Sequence, residues 1–496
     1  MEPKAIKTLT GNAAVDLALD TIGMGKQAFV FANTKQSAEK AAEDIAGQIK
    51  LGSEELEKLS YEIMTVLSRP TRQCERLALC VKKGIAFHHA GLTARQRDII
   101  EDGFRAGKIK IICCTPTLAA GVDLPAFRTI LKDLRRYGMR GLTWIPVLEY
   151  LQMAGRAGRP SFDSYGESIA IASTKAMHDR IEETYINGEP EEIYSKLAVE
   201  PVLRTYLLSL IATEFVNNKE QLLYFFSKTF WSHQFKDTRK LEQVIMKALW
   251  QLEQWNFIVM KKEDFVAADE VENEEIKATL LGKRTAELYL DPYTANHLIN
   301  GIKRAVATTS AFSYLQLISA TLEMRPLLRT RVKEQEQLEE DMVEFQSGLL
   351  MLEPSSYDEE YTDFLNSIKT AFFLNEWADE KDEEYLLDKY SVRPGEIKAK
   401  LDIADWLLYS SIELAKLLRQ HTIVKELAKA RVRLEYGAKE ELLPLLRLKN
   451  IGRVRARKLY SNGIKDIGDV KKATTTTLKQ LLGEKTAEDV KRQVGE

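Results

Sequence analysis

The chain has 496 residues, which at roughly 100–200 residues per domain leaves room for three or four domains. Hydrophobic residues make up 45% and charged residues 29%, which excludes a globally disordered chain, and 71 basic against 73 acidic residues exclude a uniformly basic nucleic-acid coat. Four cysteines (Cys74, Cys80, Cys113, Cys114) give neither a disulfide scaffold nor zinc spacing, and no apolar run approaches the roughly 18 residues a membrane helix needs, so the expectation is a soluble, cytoplasmic protein.

Ala28–Ala32 is a short apolar run of β-favouring residues and is predicted to be a strand. Ala38, Ala41, Ala42, Ile45, Ala46 and Ile49 then follow helical spacing, with Asn33 and Gln36 at capping-box separation. The unit repeats with a strand at Ile85–His88, a Thr93…Gln96 capping box, a helix to Gly107 and a strand at Lys110–Cys114; Glu167–Ala172 closes the region. Strands alternating with amphipathic helices imply a parallel sheet covered on both faces, assigned to residues 1–184.

From 185 to 292 the helix Leu241–Leu252, the strand Phe257–Met260 and the segment Ile276–Leu290 suit a small winged-helix module, and 293–440 reads as a bundle of long helices. Within the bundle, Arg331 to Lys389 holds 5 basic and 18 acidic residues, net −13. The last segment, 441–496, has short helices around Asn450-Ile451-Gly452, and Leu445–Glu496 holds 13 basic and 6 acidic residues, net +7. The basic tail suits a polyanion and the acidic block must face away from one. The fold class is therefore multidomain, α/β plus α.

Three loops follow predicted strands: Phe31-Ala32-Asn33-Thr34-Lys35, Phe87-His88-His89-Ala90-Gly91-Leu92, and Cys114-Thr115-Pro116-Thr117 running on to Gly121-Val122-Asp123. Hydroxyls and open amides at the C-terminal ends of parallel strands are where such a sheet takes its ligand. Gln152-Met153-Ala154-Gly155-Arg156-Ala157-Gly158-Arg159-Pro160 adds two arginines three apart, which on a helical turn point the same way and grip a polyphosphate. Taken alone, the arginines fit surface salt bridges equally well.

In this order the loops and the arginine motif resemble motifs IV, V and VI in the second RecA-like domain of a superfamily 2 helicase. The wording HHAGL, TPTLAAGVDLP and QMAGRAGRP is most similar to the archaeal fork-repair DNA helicases of the Hjm type, relatives of the helicase half of DNA polymerase theta. The resemblance implies a RecA-like domain, a winged helix, a helical ratchet bundle and a C-terminal helix-hairpin-helix. It implies that Gln152, Arg156 and Arg159 reach the γ-phosphate of ATP and that Gly121 and Asp123 couple nucleotide to DNA. Asn33, Thr34, Thr115 and Thr117 would hold phosphates of the tracking strand. Between the motifs the family has a strand-separating β-hairpin, here Lys132–Ile145 with Arg135, Arg136 and Arg140; composition alone favours a solvated loop.

A helicase motor also needs a GxxxxGK[ST] phosphate loop and an acidic DExx motif. Neither occurs in this sequence, and Gly25-Lys26 has Asp20 and Gln27 where Gly and Ser or Thr belong. The expectation is the C-terminal portion of such a helicase, inactive alone. The Mg²⁺ and most ATP contacts would belong to a first RecA-like domain, supplied in trans or lost, and replication-fork proteins are further candidate partners.

On the helix around Glu396–Arg419, Ile397, Leu401, Ala404, Leu408, Ile412 and Ala415 fall on one arc and Trp406 nearly opposite, near Asp402 and Glu413. The family has a base-stacking Trp there with an upstream Arg, where this chain has Lys398; packing with Leu414 and Leu417 is the bland alternative. In the tail, Leu448–Leu459 resembles a helix-hairpin-helix, with Gly452 opening helix amides to a phosphate and Arg453, Arg455 and Arg457 adding charge. Asn450 replaces the usual first glycine and tolerates left-handed geometry. His88-His89 lacks a metal constellation, so no metal is expected, and Cys113-Cys114 reads as core. The functional expectation is an ATP-dependent 3′–5′ helicase on single-stranded and forked DNA; a non-catalytic DNA-binding or regulatory module and an RNA helicase relative are the alternatives.

Overall fold

The computed structural model describes residues 5–50, 52–67, 69–119, 124–138, 141–159, 163–197, 199–235, 238–261 and 275–495. The chain divides into two compact units, Met1–Ile193 with Glu383–Lys398, and Tyr194–Asp382 with Ala399–Glu496.

The first unit is built on a five-stranded parallel sheet. Its strands are β1 (Ala28–Phe31), β2 (Ile85–His88), β3 (Ile111–Cys114), β4 (Arg128–Leu131) and, after a hairpin of β5 (Arg135–Gly138) and β6 (Gly141–Trp144), β7 (Glu167–Ala170). The order across the sheet is β2-β3-β1-β4-β7. The first four strands are completely buried, as expected of parallel strands sandwiched between helices, and Cys113 and Cys114 lie in that core as free thiols. Helices α1 (Ala13–Gly23), α2 (Lys35–Ala46), α3 (Glu54–Thr65), α4 (Arg72–Val81), α5 (Ala94–Arg105) and α6 (Val147–Ala154) surround it.

Local signals decide where these elements start. The Thr93–Gln96 capping box opens α5 as expected. At α2 the cap is Thr34, not Asn33: the Thr34 hydroxyl accepts from Ser37 N at 3.0 Å. Both residue types can cap, and Asn33 is diverted because its side-chain amide donates to the carbonyl of Arg135 in the hairpin. Strand β4 is absent from the sequence reading. Its first residue, Arg128, is fully buried and makes contacts no alternation pattern discloses, to Asp20 at 2.9 Å and Glu167 at 2.5 Å.

In the second unit, helices Glu200–Ala212, Lys219–Ser227, Thr238–Gln254 and Leu280–Glu287 accompany a two-stranded antiparallel ladder, β8 (Ile258–Lys261) with β9 (Glu275–Ala278). This is the winged helix expected, the segment Ile276–Leu290 dividing into a wing strand and a helix. Long helices follow, among them Glu360–Ala378, Pro394–Leu417, whose first turn belongs to the first unit, and His421–Tyr436. Five short helices between Leu443 and Gln493 enclose a separate apolar core of Leu446, Ile451, Leu459, Val470, Leu478 and Val490, among others. Among the described residues no helix is long and apolar enough to cross a membrane.

Candidate nucleic-acid cleft and arginine turn

Register brings the motif loops together. Phe31 pairs with Cys114 and Leu131, and His88 with Cys114, so four parallel strands end at one level. The loops leaving them open a cleft of about 830 Å³ lined by Asn33, Thr34, Thr115, Thr117, Arg136 and Gln152, among others. Its hydroxyls are preorganised: Thr115 and Thr117 are hydrogen-bonded to each other at 2.7 Å, and the Thr115 amide donates to the His88 carbonyl at 3.3 Å. Short hydroxyl and amide donors at strand ends are the groups that hold a phosphate backbone.

Lys132–Ile145 is a β-hairpin and not the solvated loop that its composition favours. Arg135 pairs with Trp144, and Arg136 with Thr143, across the antiparallel ladder. The Arg135 guanidinium lies 5.8 Å and that of Arg180 4.7 Å from the Trp144 ring, stiffening the base of the hairpin by cation–π contact. Arg136 is ion-paired with Glu149 of α6 at 2.8 Å. Arg140 lies outside the described residues, as do Gly121 and Asp123.

The arginine motif departs from its expected geometry. Helix α6 carries Gln152 but ends at Ala154, Gly155 caps it, and Gly158 at φ +94° turns the chain, so Arg156 and Arg159 do not share a helical face. The Arg156 guanidinium donates to the carbonyl of Ala119, at 3.0 Å from Nε. Arg159 grips the buried carboxylate of Asp163 through Nε at 2.7 Å and Nη2 at 3.2 Å, and donates to Gln27 at 2.8 Å. Hydrogen bonds from Arg159, with Lys26 at 2.6 Å, hold the Asp163 carboxyl down at about 2, so it is anionic at any physiological pH. Lys26 of the false phosphate loop thus has a structural partner. The Arg159 guanidinium thus uses all three of its nitrogens on Asp163 and Gln27. Gln152 instead shares the cleft with the threonines.

Sequence reasoning missed Glu191. Its carboxylate accepts from the amides of Val147 at 2.6 Å and Leu148 at 3.2 Å, satisfying the start of α6 where Pro146 offers no side-chain cap. These amides draw its pKa below the ordinary glutamate range. No local pattern links positions so far apart. His88 and His89 engage Glu101 at 2.9 Å and Glu39 at 3.1 Å; the metal-type grouping found among the described residues is His178, Asp179 and Glu182, all exposed.

In the second unit Trp406 is half-buried and its indole N–H donates to the Leu288 carbonyl at 3.0 Å. The face opposite the apolar arc is partly covered: Asp402 is exposed and Leu417 is 40% exposed. Leu407 and Leu414 are fully buried, Asp405 pairs with Arg431 at 2.7 Å, and Glu413 pairs with Arg284 at 2.6 Å. Lys398 is exposed.

In the tail Asn450 has φ +66°, the left-handed geometry expected of it, while Gly452 is the N-cap at φ −96°, where glycine's freedom is not used. No side chain caps this helix, Arg453–Ser461. Its arginines diverge. Arg457 is clamped by Glu380 at 2.5 Å and Glu441 at 2.8 Å; Arg453 lies 4.6 Å from the Trp377 ring and donates to the Lys381 carbonyl at 3.2 Å; Arg455 donates to the Asn450 carbonyl at 2.9 Å. Each of the three is thus engaged by different residues of the second unit.

Comparison with known proteins gives a family match for four successive segments. Residues 12–161 match a helicase conserved C-terminal domain, 166–259 a helix-turn-helix domain, 312–437 domain 4 of archaeal helicases and 442–496 a SAM-like helix-hairpin-helix tandem. The chain is 37% identical to the ATP-dependent DNA helicase Hel308 of Pyrococcus horikoshii over 494 residues, 99% of this chain and 67% of that relative. The chain belongs to the Hel308 family of archaeal DNA helicases. Hel308 of Methanococcus vannielii is 37% identical over 95% of this chain and 66% of its own length, and that of Methanocella arvoryzae 38% over 99% and 66%. The chain thus spans about two thirds of the length of these Hel308 proteins.

Proposed function

We propose that this chain performs the DNA-tracking and arginine-bearing part of an ATP-dependent 3′–5′ DNA helicase that works on forked or branched DNA in replication restart and repair. The observation that carries the reading is the register-aligned cleft, in which Asn33, Thr34, Thr115 and Thr117 sit beside the hairpin that follows β4. Tracking-strand phosphates would lie along those donors, and the hairpin, with Arg135, Arg136 and Arg140, would part the duplex at the cleft's edge. Arg156 and Arg159 would face ATP, with Gly121 and Asp123 between nucleotide and DNA and Gln152 at the cleft beside the threonines.

ATP bound with Mg²⁺ supplies the free energy for strand movement, and this sequence offers it arginines without a GxxxxGK[ST] loop. In this reading the phosphate loop and metal ligands would be supplied by a first RecA-like domain. The division of labour follows 1–184 as motor domain, 185–292 as winged helix, 293–440 as ratchet bundle with Trp406 and Lys398 on the single strand, and 441–496 as a duplex-binding tail through Gly452, Arg453, Arg455 and Arg457.

The test is DNA-stimulated ATPase activity of the chain alone and mixed with a separately made first RecA-like domain. Activity only in the mixture, and lost by at least about 100-fold in Arg159→Ala, is the expected result. ATP hydrolysis by the chain alone, or a mixture indifferent to Arg159→Ala, refutes the assignment. Salt-sensitive DNA binding without ATPase activity in either case would leave a non-catalytic DNA-binding module, and equal competition by RNA would point to an RNA helicase relative.

A further inference from the structure

One residue lining the cleft, Arg393, comes from a distant part of the chain. We infer that the turn Arg393–Glu396, in the distal segment Glu383–Lys398, is a built part of the nucleic-acid cleft and that Arg393 is a positioning residue for the strand bound there. This rests on the cleft reading above.

The segment is a helix, Glu383–Tyr390, followed by a turn and the first residues of the helix Pro394–Leu417, and it folds with the first unit although its sequence neighbours do not. One end is tied to α4: the Arg72 amide donates to Glu384 at 3.0 Å and the Arg72 guanidinium pairs with the same carboxylate at 3.2 Å. The other end reaches the cleft. Arg393 lines it and donates from Nε to Glu39 at 2.9 Å; Glu39 is also bonded to His89 at 3.1 Å, Gln73 at 3.1 Å and Arg76 at 2.8 Å. The Gly395 amide donates to the Gly91 carbonyl at 3.0 Å, and Glu396 pairs with Lys35, another cleft residue.

Two glycines make this approach possible. A Cβ on Gly91 would lie 2.4 Å from Cδ of Arg393, and one on Gly395 would lie 2.2 Å from the Leu92 carbonyl oxygen. Neither position accepts a side chain without parting the segment from the loop. The loop Ala90–Leu92 is therefore held twice, by its own His89, whose Nδ1 accepts from the Gly91 amide at 3.1 Å, and by the segment. Burial favours protonation of Glu39, but hydrogen bonds from His89 and Arg393 prevail and hold its carboxyl at about 2, so the junction stays charged and directional. Both Ala90 and Lys35 line the cleft; Ala90 lies in the loop that Arg393 packs against, and Lys35 is paired with Glu396 of the same turn. The Arg72–Glu384 tie does not reach the lining and offers an internal control.

The experiment measures binding of a fluorescein-labelled oligo(dT) by the whole chain, alongside hydrogen exchange of the amides of Gly91 and Leu92. Arg393→Gln is expected to weaken binding about tenfold and to speed exchange in the loop, while Glu384→Gln leaves affinity unchanged. Thr117→Val reports on the cleft itself. If Thr117→Val weakens binding and Arg393→Gln does not, the inference falls and the cleft reading stands. If neither weakens binding, the cleft reading fails and takes the inference with it. Equal losses in Arg393→Gln and Glu384→Gln would make the segment a general support of the fold and overturn the positioning role.

Discussion

Replacing Arg128 by methionine tests how the strand that launches the hairpin is held. Arg128 has no exposed side-chain surface, and its guanidinium donates to the Leu17 carbonyl at 3.0 Å, Asp20 at 2.9 Å, the Thr21 hydroxyl at 2.7 Å and Glu167 at 2.7 Å from Nε. Arg128→Met keeps the unbranched stem and removes every donor. Breaking a buried ion pair by deleting one partner costs about 3–5 kcal/mol. Asp20 and Glu167 keep 30% and 19% of their side-chain surface exposed and can rehydrate, which places the loss near the lower bound, about 3 kcal/mol. At 1.36 kcal/mol per tenfold this is about 150-fold faster hydrogen exchange for amides that open with β4. Mass-spectrometric exchange on peptides covering β1, β4 and β7 reads it, with the helix Thr238–Gln254 of the other unit as the internal reference. Arg128→Lys, which keeps the charge without the fork, should recover part of the protection. Exchange in β4 within about threefold of wild type would refute the reasoning, because the buried arginine would then be replaceable by apolar packing.

Three further outcomes are expected. Glu39, held at about 2 against an ordinary 4.5, stabilises the fold fully above about pH 4.5 and loses that contribution as pH falls towards 2; Glu39→Gln should cost about 3 kcal/mol at neutral pH, with the gap to wild type closing through that acid window in urea titrations. Asn450→Ala should destabilise the tail by about 1 kcal/mol, because alanine at φ +66° loses the tolerance asparagine has there, whereas Asn450→Gly should be close to neutral; exchange in the helix Arg453–Ser461 distinguishes them. Trp406→Phe removes the donor to the Leu288 carbonyl and should cost about 1 kcal/mol in calorimetric unfolding, with single-strand affinity nearly retained because a phenyl ring still stacks.

The strands were legible where the signal is local. Ala28–Phe31 and the run ending at Cys114 are apolar, short and bounded, so the position of Asn33, Thr34, Thr115 and Thr117 just after strand ends could be read before the fold was known. Strand β4 was not legible, since Arg-Thr at its start reads as polar surface until Asp20 and Glu167 are brought beside it. The same limit explains the arginines. Three-residue spacing predicts a shared direction only on a helix, and α6 stops two residues before Arg156, so Arg156 turns to the Ala119 carbonyl and Arg159 to Asp163. Trp406 looked solvent-facing because one apolar arc was complete, yet its indole is half-buried and bonded to the Leu288 carbonyl while Asp402 beside it stays exposed.

What the misses share is charge. Where a guanidinium ends up depends on which carboxylate the fold delivers to it, and that is set by topology rather than by sequence spacing. Glu39 and Arg393 carry no local mark of each other, yet their pair joins a distal segment to the loop after β2. Donors held by strand ends can be read from sequence because backbone geometry fixes them locally. Cations held by acids distant in sequence can be read only from the folded chain, and here they include Arg128 and Arg393, which fix the strand before the hairpin and the turn beside the cleft. The cleft's shape is therefore a product of long-range ion pairing laid over short-range strand-end chemistry.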